Sequence, residues 1–368
     1  MLLIIIGLLY TLISFLNRDK YQPYWGWLII LAIMGLQYSV PGDYDGYEQT
    51  FRKVATNSFD MNSIKTERGW TYLNRLFSYF GTFQLLVFAI SLFEYYVLAK
   101  FIAYYTDKKF LFLSGLIFYF SMYMMIFQMK GLRQALSIEM CLLALMTIDK
   151  HSGLKSMLWS IVLVLLASTI HTSSYLMLPV IFCAIILKTS HWVILKADVP
   201  NIKYAGIITL SYLCLFWMKK TFIEFIRPWL LSLDLMGYEG YFGSLEIIEY
   251  HVLITLYHTC IVFAVSYVMQ AEKGFMKFLY IMVIISTFCE MITFGLGSLF
   301  RITLALNIVS IAVLPNVSSY LYKNQHRILA WLFAGLVISY NFRTFITQTI
   351  RHSENGFDNY SFLIFNYI

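Results

Sequence analysis

Arg133, His171 and Arg301 stand at the ends of apolar segments that the charge pattern of the chain brings to one face of a membrane. Charged groups beside hydrocarbon are costly and are usually kept for function. Met129 to Cys141 reads MKGLRQALSIEMC. At about 100° per residue, Lys130, Arg133, Gln134 and Ser137 share one helical stripe while Glu139 points away. A guanidinium and an ammonium near a helix N-terminus suit an anion, and the fork of an arginine matches phosphate oxygens. The stripe reads as a pyrophosphate clamp, the alternative being two cations that snorkel to lipid headgroups.

His171 lies among Ser168, Thr169, Thr172, Ser173 and Ser174. An imidazole there suits a general base that takes a proton from a hydroxyl, or one that closes a helix end by hydrogen bonds. Arg301 follows Gly295-Leu296-Gly297-Ser298, where glycines allow backbone N–H groups to turn towards an anion. Its alternative is a structural pair with Glu290. The loop Pro41-Gly42-Asp43-Tyr44-Asp45-Gly46-Tyr47 mixes carboxylates with aromatic rings, a combination that suits sugars. Glu67-Arg68-Gly69-Trp70 then opens an amphipathic stretch through Tyr72, Leu76 and Tyr79. An ordinary solvated loop is the alternative for both. His251 and His258 lack a third ligand, so no metal is expected. Glu94, Glu139 and Glu290 are intramembrane carboxylates, either proton-carrying or neutral and hydrogen-bonded. No P-loop, GxSxG or HExxH occurs.

The elements that must position these residues are transmembrane helices. Hydrophobic residues make up 60% of the chain and charged ones 13%, with a mean hydropathy of +0.69. A soluble protein carries about a quarter charged residues. The expected fold is an all-α, polytopic transmembrane bundle forming one integral membrane domain over residues 1–368. A ruler of roughly 20 apolar residues per crossing places about twelve helices. They fall near 1–16, 25–40, 82–99, 110–127, 132–148, 156–170, 173–188, 203–218, 250–269, 275–293, 299–315 and 328–345. Residues 156–188 are too long for one crossing and hold His171 at their middle, so a tight helical hairpin is expected there.

Short basic loops, such as Lys108/Lys109, Lys150/Lys155 and Lys273/Lys277, alternate with two long loops near 41–69 and 219–249. The positive-inside rule puts the basic set in the cytoplasm and both long loops, with both termini, outside. That rule also accounts for the net charge of +7 without nucleic acid. Phe222 to Leu235 is amphipathic and is expected along the outer interface, broken or kinked by Pro228. Met1 to Leu16 lacks a basic leader and reads as a retained first helix. Five scattered cysteines with no CxxC pair read as small packing residues.

Taken in order, several pieces resemble the EpsG-like branch of the Wzy-type bacterial polysaccharide polymerases. They are Gly42-Asp43-Tyr44 with Tyr47, Glu67-Arg68-Gly69-Trp70, Arg133-Gln134-Ala135, His171-Thr172-Ser173-Ser174 before Pro179, and Arg301 opening a late helix. Arg68 interrupts the family's acidic-then-glycine element. The resemblance implies a multi-pass protein of the bacterial inner membrane, active at its outer face and needing no cofactor. Its substrates would be undecaprenyl-pyrophosphate-linked glycans, with membrane lipids and a chain-length regulator as further partners. A sugar hydroxyl on one lipid-linked repeat would attack the glycan carried by another. Arg133, Arg301 and Lys130 would hold the pyrophosphate, and His171 or Asp43 would serve as base. Tyr44, Tyr47, Glu67, Trp70 and Gln134 would contact glycan. A lipid-linked oligosaccharide flippase, an O-antigen ligase and a membrane O-acyltransferase are the rivals.

Overall fold

In hydrocarbon a chain must satisfy its own backbone polar groups, and a long apolar sequence does so as α-helix. Helices make up nearly all of the described structure. The computed structural model describes residues 7, 9, 12, 13, 22–38, 43–56, 67–151, 153–190, 195–232, 252–293, 301–347 and 361–362. The chain divides into two compact units, one of residues 1–186 and 314–368, the other of residues 187–313.

The first unit opens with α1 (Gln22–Gly35), a two-residue strand β1 (Gln37–Tyr38), α2 (Tyr44–Val54), α3 (Arg68–Ser78) and α4 (Phe83–Tyr105). A 3-10 turn (Lys108–Phe110) leads into α5 (Leu111–Phe120). A π-helical turn (Met122–Ile126) and the short α6 (Phe127–Lys130) follow. Next come α7 (Leu132–Lys150), α8 (Leu154–Ile170), a 3-10 turn (Thr172–Leu176) and α9 (Met177–Thr189). The second unit holds α10 (Ile202–Ser232), α11 (Val252–Met269), α12 (Gly274–Thr293) and α13 (Arg301–Asn307). The chain then returns through α14 (Ser310–Lys323) and α15 (Arg327–Ile346) to β2 (Ser361–Phe362), which pairs antiparallel with β1.

Among the described residues, six stretches are long and apolar enough to cross a membrane: α4, Thr172–Thr189, α11, α12, Thr303–Lys323 and α15. The pair Lys108–Phe120 and Met124–Lys130, bent by 43°, would make a seventh. Of the other helices, α1 has 14 residues and α8 has 17. Helix α7 carries Arg133, Glu139, Asp149 and Lys150. Each apolar segment expected from residue 25 onward coincides with a helix, and the segment 1–16 lies almost wholly outside the described residues. The protein is therefore an all-α membrane protein. A full twelve crossings does not follow from helix length alone.

The structure departs from the sequence expectation at three places. The stretch 41–69 is not plain loop, because it forms α2 and the approach to α3. Helix α10 does not stop near 218 but continues through Pro228 to Ser232, and residues 233–251 lie outside the described set. The chain does break at His171, whose backbone is extended (φ −148, ψ 120). The two arms on either side, α8 and α9, nevertheless do not lie closely against each other, so the hairpin is not a tight one.

The most extensive helix pair among the described residues is antiparallel α7–α8, joined by residues 151–153. Small residues line it. Ser160 Oγ donates to the Ala144 carbonyl (3.0 Å), and Ser156, Ala167 and Ala144 are buried. Small side chains let helix backbones approach where there is no hydrophobic drive between helices in lipid. The outward face of α8 shows Leu158, Trp159, Val162, Leu165 and Leu166, as a lipid-facing surface should.

At the far end of α4, Asn316 on α14 joins two backbone groups. Its Nδ2 donates to the Tyr105 carbonyl (2.6 Å), and its Oδ1 accepts from the Asp107 N–H (2.7 Å). Asp107 also accepts from the Lys109 N–H (3.0 Å) and pairs with Lys323. Burial works to raise the Asp107 carboxyl, but the Lys323 and Lys109 hydrogen bonds outweigh it and hold it below the usual aspartate range. Asn316→Ala strips both backbone groups of their partner and should lower stability by about 1–3 kcal/mol. Thermal unfolding of the purified protein in detergent checks this. An unchanged midpoint would mean that water satisfies both groups.

Candidate functional site

Helices α2 and α3 are built as one piece. Tyr44, Tyr47, Phe51 and Val54 recur at helical spacing along α2 and are all buried. The Tyr47 ring meets Trp70 of α3 edge-on, with centroids 5.4 Å apart. Arg75 Nη1 donates to the carbonyls of Val54 (2.6 Å) and Thr56 (3.0 Å), which the end of α2 leaves without helical partners. Helix α3 in turn rests on the last turn of α8. A Cβ on Gly69 would lie 2.2 Å from Thr169 Oγ1 and 2.7 Å from the Thr169 carbonyl oxygen. Only glycine permits that approach.

This contact sets Glu67, the extended residue before α3 (φ −61, ψ 137), beside the start of α7 and the break after α8. Its carboxylate spans the two. Oε2 pairs with Arg133 Nη1, and Oε1 accepts from the Thr172 backbone N–H at 3.3 Å. The Arg133 and Glu67 side chains are only 22% and 16% exposed, so the pair is partly withdrawn from water. Arg133 also donates to the Tyr47 hydroxyl, with its guanidinium 5.4 Å from the centre of that ring. Tyr47 then donates to Asp43 Oδ2 (3.4 Å). Arg133 Nε is buried without a hydrogen-bond partner among the described residues. Asp43, exposed at the head of α2, acts electrostatically on both Arg133 and Lys130, the latter at the end of α6.

Directly before Thr172, His171 Nδ1 accepts from the Ser173 backbone N–H (3.3 Å) and lies 2.7 Å from Ser173 Oγ. With Nδ1 as acceptor, the proton of the neutral ring sits on Nε2. His171 thus caps the 3-10 turn through one nitrogen and carries a donor on the other.

Four separated stretches named from sequence therefore meet: Asp43 to Tyr47, Glu67 to Trp70, Lys130 to Arg133, and His171 with Thr172. Arg301 opens α13 in the other unit, and its side chain lies outside the described residues. Glu290, a candidate partner for Arg301, lies 3.7 Å from His258 Nε2. Four proposed glycan contacts, Tyr44, Tyr47, Trp70 and Gln134, are interior residues, Tyr47 being 7% exposed. Tyr44 is 1% exposed and donates to Gln84 Oε1 (3.1 Å). Trp70 is fully buried under Tyr47, and Gln134 is 2% exposed. Their surfaces are committed to packing and offer no face to a sugar in this arrangement.

Sequence reasoning missed the Thr172 N–H as an anion donor and Gly69 as the contact that positions Glu67. The glycine directly after Glu67-Arg68 was the available signal for a close helix approach. Gly69→Ala should cost about 1–3 kcal/mol through overpacking. Gly46→Ala, where nothing lies within 4 Å, should leave thermal stability in detergent unchanged or slightly raised. Equal behaviour of the two variants would show that α3 does not depend on the Thr169 contact.

No curated protein and no solved structure matches the chain. The model of the EpsG family matches residues 3–364, nearly the whole length. The chain belongs to the EpsG family.

Proposed function

We propose that the protein is a polysaccharide polymerase joining lipid-pyrophosphate-linked oligosaccharide repeats at the outer face of a bacterial inner membrane. Membership of the EpsG family is consistent with this reading. The observation that carries it is the Arg133–Glu67–Thr172 cluster, where a guanidinium and a backbone N–H converge on one pair of oxygens. Such donors suit the charge that builds on a departing pyrophosphate.

In this mechanism an acceptor sugar hydroxyl attacks the anomeric carbon of the donor glycan. The new C–O bond forms as the bond to the pyrophosphate oxygen breaks, and the leaving group departs with the electron pair. Arg133, with Lys130 nearby, takes the growing negative charge. The hydroxyl proton passes to Asp43, which is exposed beside the cations. We assign His171 the role of a donor in preference to a base, because its Nδ1 already accepts from the Ser173 N–H. The alternation of short basic loops with the two long loops supports the outer orientation through the positive-inside rule. Twelve crossings, with a chain-length regulator as partner, complete the proposal.

In a producing strain, Arg133→Ala should leave single-repeat glycan and abolish the ladder of long chains. A normal ladder from a normally inserted Arg133→Ala protein would count against the polymerase. His171→Asn keeps an acceptor near the Nδ1 position and removes the Nε2 donor. It should slow polymerisation by about 10²-fold, the usual cost of one such donor, without lowering thermal stability. If elongation is unaffected, His171 serves only as a helix cap.

A further inference from the structure

We propose that Glu67 is an internal occupant of the anion site. Its carboxylate sits where a phosphate group would, and an incoming pyrophosphate displaces it from Arg133 and from the Thr172 N–H. The inference rests on the polymerase reading of the same site and names what holds that site before the donor arrives.

Carboxylate and phosphate oxygens compete for the same donors, the guanidinium fork and backbone N–H groups. Glu67 uses one oxygen on each, and both donors keep unused capacity. The Thr172 N–H bond is 3.3 Å long, where a charge-assisted bond is typically about 2.7–2.9 Å. Arg133 gives Glu67 only Nη1, and its buried Nε has no partner among the described residues. A phosphate, with more oxygens set farther apart, can reach Nε, Nη1 and the N–H together.

The charges argue the same way. Arg133 and Lys130 stand against Glu67 and Asp43, so the cluster is close to neutral as it stands. A dianion entering beside a Glu67 that stayed in place would meet two carboxylates. Moving Glu67 away turns the site cationic as the anion arrives. The backbone allows the exchange, because the Gly69–Thr169 contact holds the start of α3 while Glu67 itself precedes the helix in extended conformation. A rotation of one side chain suffices. The cost appears as weaker apparent affinity, in proportion to the fraction of molecules in which Arg133 is released.

The test uses purified protein in detergent with inorganic pyrophosphate as probe. Calorimetry compares wild type, Glu67→Gln and Arg133→Gln, each verified as monodisperse. Glu67→Gln should bind pyrophosphate about tenfold more tightly than wild type, a gain of about 1.4 kcal/mol, and Arg133→Gln should lose binding. In parallel, carbodiimide labelling of Glu67 in the wild-type protein, read by mass spectrometry, should rise as pyrophosphate saturates. Binding by Glu67→Gln that is no tighter than wild type, or labelling that stays level or falls, overturns the displacement. If Arg133→Gln still loses binding in that case, the anion site stands and only the exchange is wrong. If Arg133→Gln binds like wild type, or if wild type and Glu67→Gln both fail to bind, the anion site and this inference fall together. Should Glu67→Gln aggregate, the wild-type labelling decides alone.

Discussion

A guanidinium and a carboxylate, each largely withdrawn from water, hold α7 to α3 in a chain that is otherwise mostly hydrocarbon. Such a pair is weak evidence for stability, because desolvation offsets much of the Coulomb gain. It is stringent in another sense. Removing one member leaves the other charge without its counterion, at about 3–5 kcal/mol where burial is complete. A pair like this constrains geometry more than it stabilises. Here it obliges the residue before α3, the first turn of α7 and the break after α8 to stay within hydrogen-bond reach.

The surrounding packing serves that constraint. Tyr47 lies between Trp70 and Arg133, so the aromatic contact of α2 with α3 also supports the cation. Arg75 ties the end of α2 to α3 from the other side. Gln84 on α4 donates to the carbonyls of Gly35 and Gln37 and accepts from Tyr44, which fixes where the chain enters α2. These polar contacts form a connected scaffold around the pair.

Much of the helical layout was legible in the sequence because long apolar runs have few alternatives in lipid. Arg133 and His171 were legible for the same reason, since charge at a helix end in such a chain stands out. The stretch from Asp43 was read as loop because its carboxylates and glycines dominate locally. The spacing of Tyr44, Tyr47, Phe51 and Val54 carried the helix and was outweighed. Tyr44 and Trp70 were read as sugar platforms because ring chemistry is visible in sequence and burial is not. The Glu67–Arg133 partnership has no local signal at all, since it joins residues far apart in the chain and depends on α3 resting on α8.

The antiparallel pair α7–α8 works as a vernier. As many residues separate Ala144 from Arg133 as separate His171 from Ser160, so the register that seats Ser160 on the Ala144 carbonyl also sets His171 level with Arg133. One residue inserted into either helix would turn everything beyond it by about 100° and slide it about 1.5 Å. Imidazole and guanidinium would then part company even with every contact in the lower half of the pair intact. Variation in length is affordable at the 151–153 bend and forbidden along the rods it joins.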